Sequence, residues 1–98
     1  MYTASARVSL RIPLSTSLKD KRQVVRSLLA RLRNQFEIAA AEVAEQDIRN
    51  LAVLGLAAVS ADAGHAQAVL ERAIGYIEQS RPDAEITNVQ RDILALDD

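Results

Sequence analysis

The stretch LAVLGLAAVSA, Leu51 to Ala61, has no polar face. Side chains alternate between the two faces of a strand. A strand apolar on both faces needs cover above and below and a neighbouring strand on each side. This run therefore belongs in the middle of a sheet, and the remainder of the 98 residues must supply the flanking strands and the covering layer. A chain of this length makes one domain, residues 1–98, and not two. Apolar residues are 49 % of it and aromatic residues 3 %, so the cover must be aliphatic.

The rest of the chain switches between the two periodicities. Thr3 to Ile12 puts Ala4, Ala6, Val8, Leu10 and Ile12 on one side and Thr3, Ser5, Arg7, Ser9 and Arg11 on the other, the pattern of a half-buried strand. Pro13 has no amide hydrogen and ends the pairing. From Ser17 to Gln35 the period is helical. Leu18, Val24, Val25, Leu28, Leu29, Leu32 and Phe36 fall within a sector of about 140°. Ser17 is the expected N-cap, and Asp20 stands where a capping box usually has Glu, close to the positive end of the helix dipole. Glu37 to Ala44 reads as a second strand, joined by the polar link Glu45 to Asn50 to the apolar run. Asp62 is the expected cap of a helix from about Ala63 to Gln79, striped by Ala66, Val69, Leu70, Ala73, Ile74 and Ile77 and stopped by Pro82. Glu85 to Leu96 is a last, less regular strand, with a bulge expected near Thr87 and Asn88.

The order is β-α-β-β-α-β. Two helical stripes must be buried against one face of a four-stranded antiparallel sheet, which is the ferredoxin-like α+β plan. In that plan the first and third strands are central, the position Leu51 to Ala61 requires. Gly55 is expected to permit a close approach or a bulge there.

The blocks SLKDKR, VVRSLLARLRNQF, AAAEVAEQD and AVLGLAAVSAD, in this order and spacing, resemble the YlxP-like family of small bacterial proteins, a domain of unknown function. The resemblance covers nearly the whole chain. It implies a ferredoxin-like fold and no assigned enzyme activity. Family genes often lie beside genes for translation and ribosome maturation, which implies work on RNA or the ribosome by association. The family tends to carry a bulky residue, often Trp, near position 49, where this chain has IRNL with Arg49.

Charge is unevenly spread. Up to Gln35 there are eight cations and one anion, Asp20; from Phe36 onward there are four cations and twelve anions. Such asymmetry points to an acidic partner for the basic half, or to halves that complement each other within the fold or between subunits, where Asp97 and Asp98 are placed to reach the basic arm. Lys19, Arg22, Arg26 and Arg33 cluster within about 60° of the helical wheel, a track suited to phosphates; Arg7 and Arg11 are secondary candidates on the sheet. As a solvated helix edge, the same residues would cover the core with their stems. Lys21 falls instead in the middle of the apolar sector. Glu42, near the finish of the second strand, points toward the helices, so the two are expected to form a partly buried ion pair that pins the register.

On the far side of the sheet, Ala39, Ala41, Val43, Val53, Gly55, Ala57 and Val59 form an apolar surface of small residues. Such a patch is not expected to stay bare, and sheet-to-sheet dimerisation is its simplest use. A stacking platform for bases needs aromatics there; Tyr2, Phe36 and Tyr76 are too few and wrongly placed. His65 reads as an exposed helix residue, and Asp62 beside it does not complete a metal site. Glu45 and Asp47 lack the Ca²⁺-loop pattern, and no phosphate-binding glycine motif is present. With no cysteine, thiolate metal sites and disulfides are excluded. No apolar run is long enough to span a membrane, and MYTASARV lacks a signal peptide's apolar stretch, so a cytoplasmic protein is expected. The sequence thus reads as a non-enzymatic binding protein without cofactor, metal or small-molecule substrate. Its expected partner is RNA or the ribosome, held by the basic helix; the alternative is a protein–protein module or homodimer using the open sheet.

Overall fold

Both helices begin where a side-chain oxygen caps the first turn. Ser17 Oγ accepts the Asp20 amide at 3.1 Å, and Asp62 Oδ2 accepts the His65 amide at 3.0 Å. The reciprocal arm of the first cap reaches one residue further back than a capping box. The Asp20 carboxylate accepts from the Thr16 amide at 3.2 Å and from Thr16 Oγ1 at 2.7 Å. The structure, a computed structural model, describes residues 1–97; the expected reach of Asp98 to the basic arm lies outside the described residues. Its elements are β1 (Tyr2–Arg11), α1 (Leu18–Gln35), β2 (Ala39–Ala44), β3 (Leu51–Ser60), α2 (Ala63–Glu78) and β4 (Glu85–Ala95). The sheet is antiparallel in the order β2-β3-β1-β4, with β1 and β3 central, the ferredoxin-like α+β fold.

The core lies between the sheet and the helices. Ala4, Ala6, Val8 and Leu10 of β1 and Ala52, Leu54 and Leu56 of β3 meet Val25, Leu28, Leu29 and Leu32 of α1 and Ala66, Leu70, Ala73, Ile74 and Ile77 of α2. β2 is shorter than its alternation predicts. The Ile38 amide donates back to Phe36 O at 2.9 Å, a three-residue turn that takes Glu37 and Ile38 out of the ladder.

Two register shifts set which side chains face which way. On β4 the pairing passes from Ser9↔Asn88 to Leu10↔Ile86, leaving Thr87 as the extra residue. The extra residue flips the parity of the strand, so Ile86 and Val89 both pack on the core although they are an odd number of positions apart. On β2 the pairing passes from Glu42↔Leu54 to Ala44↔Val53, leaving Val43 extra. Val43 leans over β3, and a Cβ on Gly55 would lie 2.8 Å from Val43 Cγ1. Gly55 is therefore the close approach that makes room for the bulge on its neighbour.

Gly55→Ala should lower stability by about 1 kcal/mol by forcing Val43 off its rotamer. In a Val43→Ala background the same change should be neutral or stabilising, because a strand glycine is itself unfavourable. Urea midpoints of the four proteins of this cycle check the coupling; equal effects in both backgrounds would refute it.

Candidate functional site

SLKDKR sends its charges in different directions. Lys21 turns inward from the first turn of α1 and its side chain is fully buried. Nζ donates to Glu45 O at 2.7 Å, Gln46 O at 2.9 Å and Leu51 O at 3.0 Å, and lies 3.1 Å from Glu42 Oε2. An ammonium has three protons, and three carbonyls take them. Glu42 Oε2, buried and without a hydrogen bond, therefore balances the charge with no proton aimed at it. The arrangement ties the start of α1 to both ends of the link between β2 and β3. Asp20, one residue earlier, is held below the ordinary carboxylate range, chiefly by the Thr16 hydroxyl and then by the Thr16 amide.

Lys19, Arg22 and Arg26 point outward and are exposed. Among the described residues none of the three has a hydrogen bond or ion pair. Arg33, expected to extend this ribbon, turns back instead: Nε donates to Ala40 O of edge strand β2 at 3.0 Å, and Nη2 reaches the same carbonyl. The ribbon therefore lies on the flank of α1 nearest β2. On the opposite flank Arg31 lies over the Tyr76 ring, 5.8 Å from its centroid, and Tyr76 meets Phe36 edge-on. Arg7 and Arg11 are not brought to the ribbon. They project from the sheet face opposite the helices, and Arg11 Nη2 is paired with Glu85 Oε2 at 2.7 Å. Of the six cations expected to contact a phosphate chain, Lys19, Arg22 and Arg26 form one surface, Arg7 stands alone on another, and Arg11 and Arg33 have structural partners.

That opposite face carries a shallow trough of about 630 Å³ lined by Ser5, Arg7, Ala39, Ala41, Val43, Gly55, Ala57, Gln90 and Asp92, among others. Val43 and Val59 are strongly exposed on it, 48 % and 62 %. Val53 departs from the expectation. It has the parity of this face but is only 6 % exposed. It pairs with Ala44, in the row where the β2 bulge bends its strand. The usable apolar surface is Ala39, Ala41, Val43, Gly55, Ala57 and Val59, with Leu94 of β4 added at 66 % exposure.

Sequence reasoning missed a clasp beside the Lys21 cage. Buried Ser15 places Oγ 2.6 Å from Arg49 O and 2.9 Å from Ser17 O, and Arg49 Nη1 donates to Ser15 O at 3.3 Å. Arg49, where related chains were expected to carry a bulky side chain, here joins two loops. His65 is exposed, and its amide serves only the Asp62 cap. Among the described residues no group of three or more His, Cys, Asp or Glu could hold a metal ion, and no helix is long and apolar enough to cross a membrane.

Residues 3–91 match the family described as "Protein of unknown function (DUF503)", and the chain belongs to this family. It is 35 % identical over 71 residues to the uncharacterized protein YlxP of Bacillus subtilis (strain 168), covering 72 % of this chain and 76 % of that protein. Among solved structures it resembles the de novo designed protein Foldit4, with a TM-score of 0.51 at 10 % identity over 97 % of this chain and 99 % of the other. That likeness is one of fold alone.

Lys21→Met should cost about 3–5 kcal/mol, because it leaves Glu42 buried without a counter-charge and three carbonyls without a donor. Lys19→Met, one turn edge away and exposed, should stay within about 0.5 kcal/mol of wild type. Chemical denaturation of both variants checks the contrast. The depressed Asp20 carboxyl adds stability above its unfolded pKa, and that stability is lost as pH falls through the folded value. Asp20→Asn should accordingly flatten the acid limb of the stability profile; an acid limb unchanged by the substitution would refute this.

Proposed function

We propose that this protein is a non-enzymatic binding domain that takes RNA by its phosphates along the outer flank of α1, through Lys19, Arg22 and Arg26. The observation that carries the reading is that these three exposed cations stand together on one helix flank with no side-chain partner among the described residues, whereas their neighbours Lys21, Arg31 and Arg33 on α1 are engaged within the fold. Spaced three and four residues apart, they run along one helix flank for about 10 Å at 1.5 Å rise per residue, the length of about three phosphates at about 3.4 Å of helix axis each. The gene neighbourhood implied by the family resemblance makes ribosomal RNA the first candidate.

The non-enzymatic reading rests on proton accounting. Lys21 and Glu42 form an ion pair in which the three ammonium protons are committed to backbone carbonyls, so Lys21 has no proton directed at a substrate. Asp20 is held in its ionised form by hydrogen bonds, the opposite of a general acid.

Three phosphate contacts predict a slope of log affinity on log salt of about −2 for single strands and about −2.7 for duplex. Between 50 and 200 mM salt, affinity for a ribosomal RNA fragment should thus fall roughly 15- to 40-fold. Fluorescence anisotropy on wild type and a Lys19→Glu, Arg22→Glu, Arg26→Glu triple variant tests this. The variant should lose binding while keeping its fold by circular dichroism. Binding that ignores salt, or survives the triple reversal, overturns the proposal.

A further inference from the structure

β3 has no polar face, and one side of it is covered by the helices. Leu54, Leu56 and Ala58 are 0–2 % exposed on that side, while on the other Gly55 and Ala57 open onto the trough and Val59 is exposed. We propose that the missing cover is a second copy of this chain, bound sheet to sheet through the open face.

The charge on the face selects this occupant. The cross-strand rows there read Thr3, Val59 and Leu94; then Ser5, Ala57, Ala39 and Asp92; then Arg7, Gly55, Ala41 and Gln90. Arg7 and Asp92 are diagonal neighbours, yet they form no ion pair with each other. Among the described residues the Asp92 carboxylate accepts only its neighbour's amide, Ile93 N, at 2.8 Å. Arg11 and Glu85, further along the face, neutralise each other. Among the described residues, the cross-strand rows of this surface therefore carry one unpaired cation, Arg7, and one unpaired anion, Asp92. An interface between identical copies must be self-complementary. A two-fold axis lying between the sheets, across the Arg7–Asp92 diagonal, brings each Arg7 over the partner's Asp92. The flank of α1 that carries Lys19, Arg22 and Arg26 cannot meet its own copy in this way, because all three carry the same sign. A polyanion has no comparable claim on the neutral face, and it would find no aromatic ring on which to stack a base.

Shape and size agree. Alanines and Gly55 floor the trough, so two sheets can come close; Val43 lines it, and Val59 and Leu94 are exposed apolar residues on the same face. Strands of ten, ten and eleven residues with the six-residue edge strand β2 offer about 600 Å² in projection, at about 3.4 Å per residue and 4.8 Å between strands. The corrugated accessible area exceeds the projection and comes near the roughly 800 Å² per partner of a stable interface.

Sedimentation equilibrium or light scattering over a concentration series tests the proposal. Wild type should approach twice the 10.7 kDa chain mass. Arg7→Asp, which sets acid against acid, should raise the dimer dissociation constant at least about tenfold, as should Asp92→Arg. The Arg7→Asp, Asp92→Arg double variant should recover most of the loss. Ala57→Glu should give a folded monomer, and the α1 triple-Glu variant should remain a dimer, which separates this proposal from RNA binding. A wild type that stays monomeric at about 100 μM, a double swap without recovery, or an Ala57→Glu protein that still dimerises would each overturn it.

Discussion

A fully buried ammonium joins the two ends of a loop to the start of a helix, and the direction of α1 follows from it. Taking Lys21 and Glu42 out of water costs several kcal/mol per ion. Three charge-assisted hydrogen bonds of about 1.5–3 kcal/mol each, together with the ion pair, offset that cost. The net gain is small, but the penalty for removing one partner is large, so the arrangement specifies geometry more than it adds stability. It also holds Glu45 at φ 62, a conformation that costs a non-glycine residue roughly 1–2 kcal/mol. There the Glu45 carbonyl accepts from both Lys21 Nζ and the Ile48 amide. With the first turn of α1 fixed in this way and its last turn tied to β2 by Arg33, the outward cations have one possible placement, along the β2 flank.

The second constraint is one of coverage. Two helices about 10 Å across span about 20 Å, and four strands at about 4.8 Å span the same width. One face of the sheet is thereby covered completely, and the described residues hold no third layer. Each half of β3 responds to its own side: leucines toward the helices, glycine and alanine toward the open face. An open face normally acquires polar residues in alternation. β1 follows that rule with Thr3, Ser5, Arg7, Ser9 and Arg11, and β3 does not. The difference between these two neighbouring strands is the ground for the proposal that a second copy covers the centre of the open face.

Element order, both caps, the central place of β3 and the bulge on β4 were legible because each has a local signature, whether a period, a capping side chain or a break in alternation. The proximity of Lys21 and Glu42 was legible too, since a cation in an apolar sector needs an anion and topology offered one. The three carbonyls around Lys21 were not, because a backbone acceptor looks the same at every residue. Arg33 shows the limit of a helical wheel. The wheel fixes the direction of Cβ, but a guanidinium several bonds further out can turn back onto the nearest free carbonyl, here Ala40 O. The Ser15–Arg49 clasp joins residues 34 apart in two loops and leaves no periodic trace. Val53 was placed on the correct face by parity, but parity carries no information about the β2 bulge beside it.

The imbalance between the basic first third and the acidic remainder divides into three uses once the fold is known. Arg11 with Glu85 and Lys21 with Glu42 consume charge across the two halves, so part of the asymmetry is internal complementarity. Arg91 of the acidic part is paired with Glu71, which holds the guanidinium firmly protonated. Among the remaining charges of the described residues, two groups are spatially sorted: three like charges on the α1 flank, and one opposite pair, Arg7 and Asp92, on the open sheet. Like charges in a row suit a polyanion and repel a copy, while an unpaired Arg and Asp on an otherwise apolar surface suit a copy and offer little to a polyanion. The two surfaces lie on opposite sides of the sheet, so a dimer formed through one leaves the other exposed. Two such ribbons, one on each outer side of the pair, would let a single RNA chain long enough to reach both bind more tightly than either ribbon alone allows.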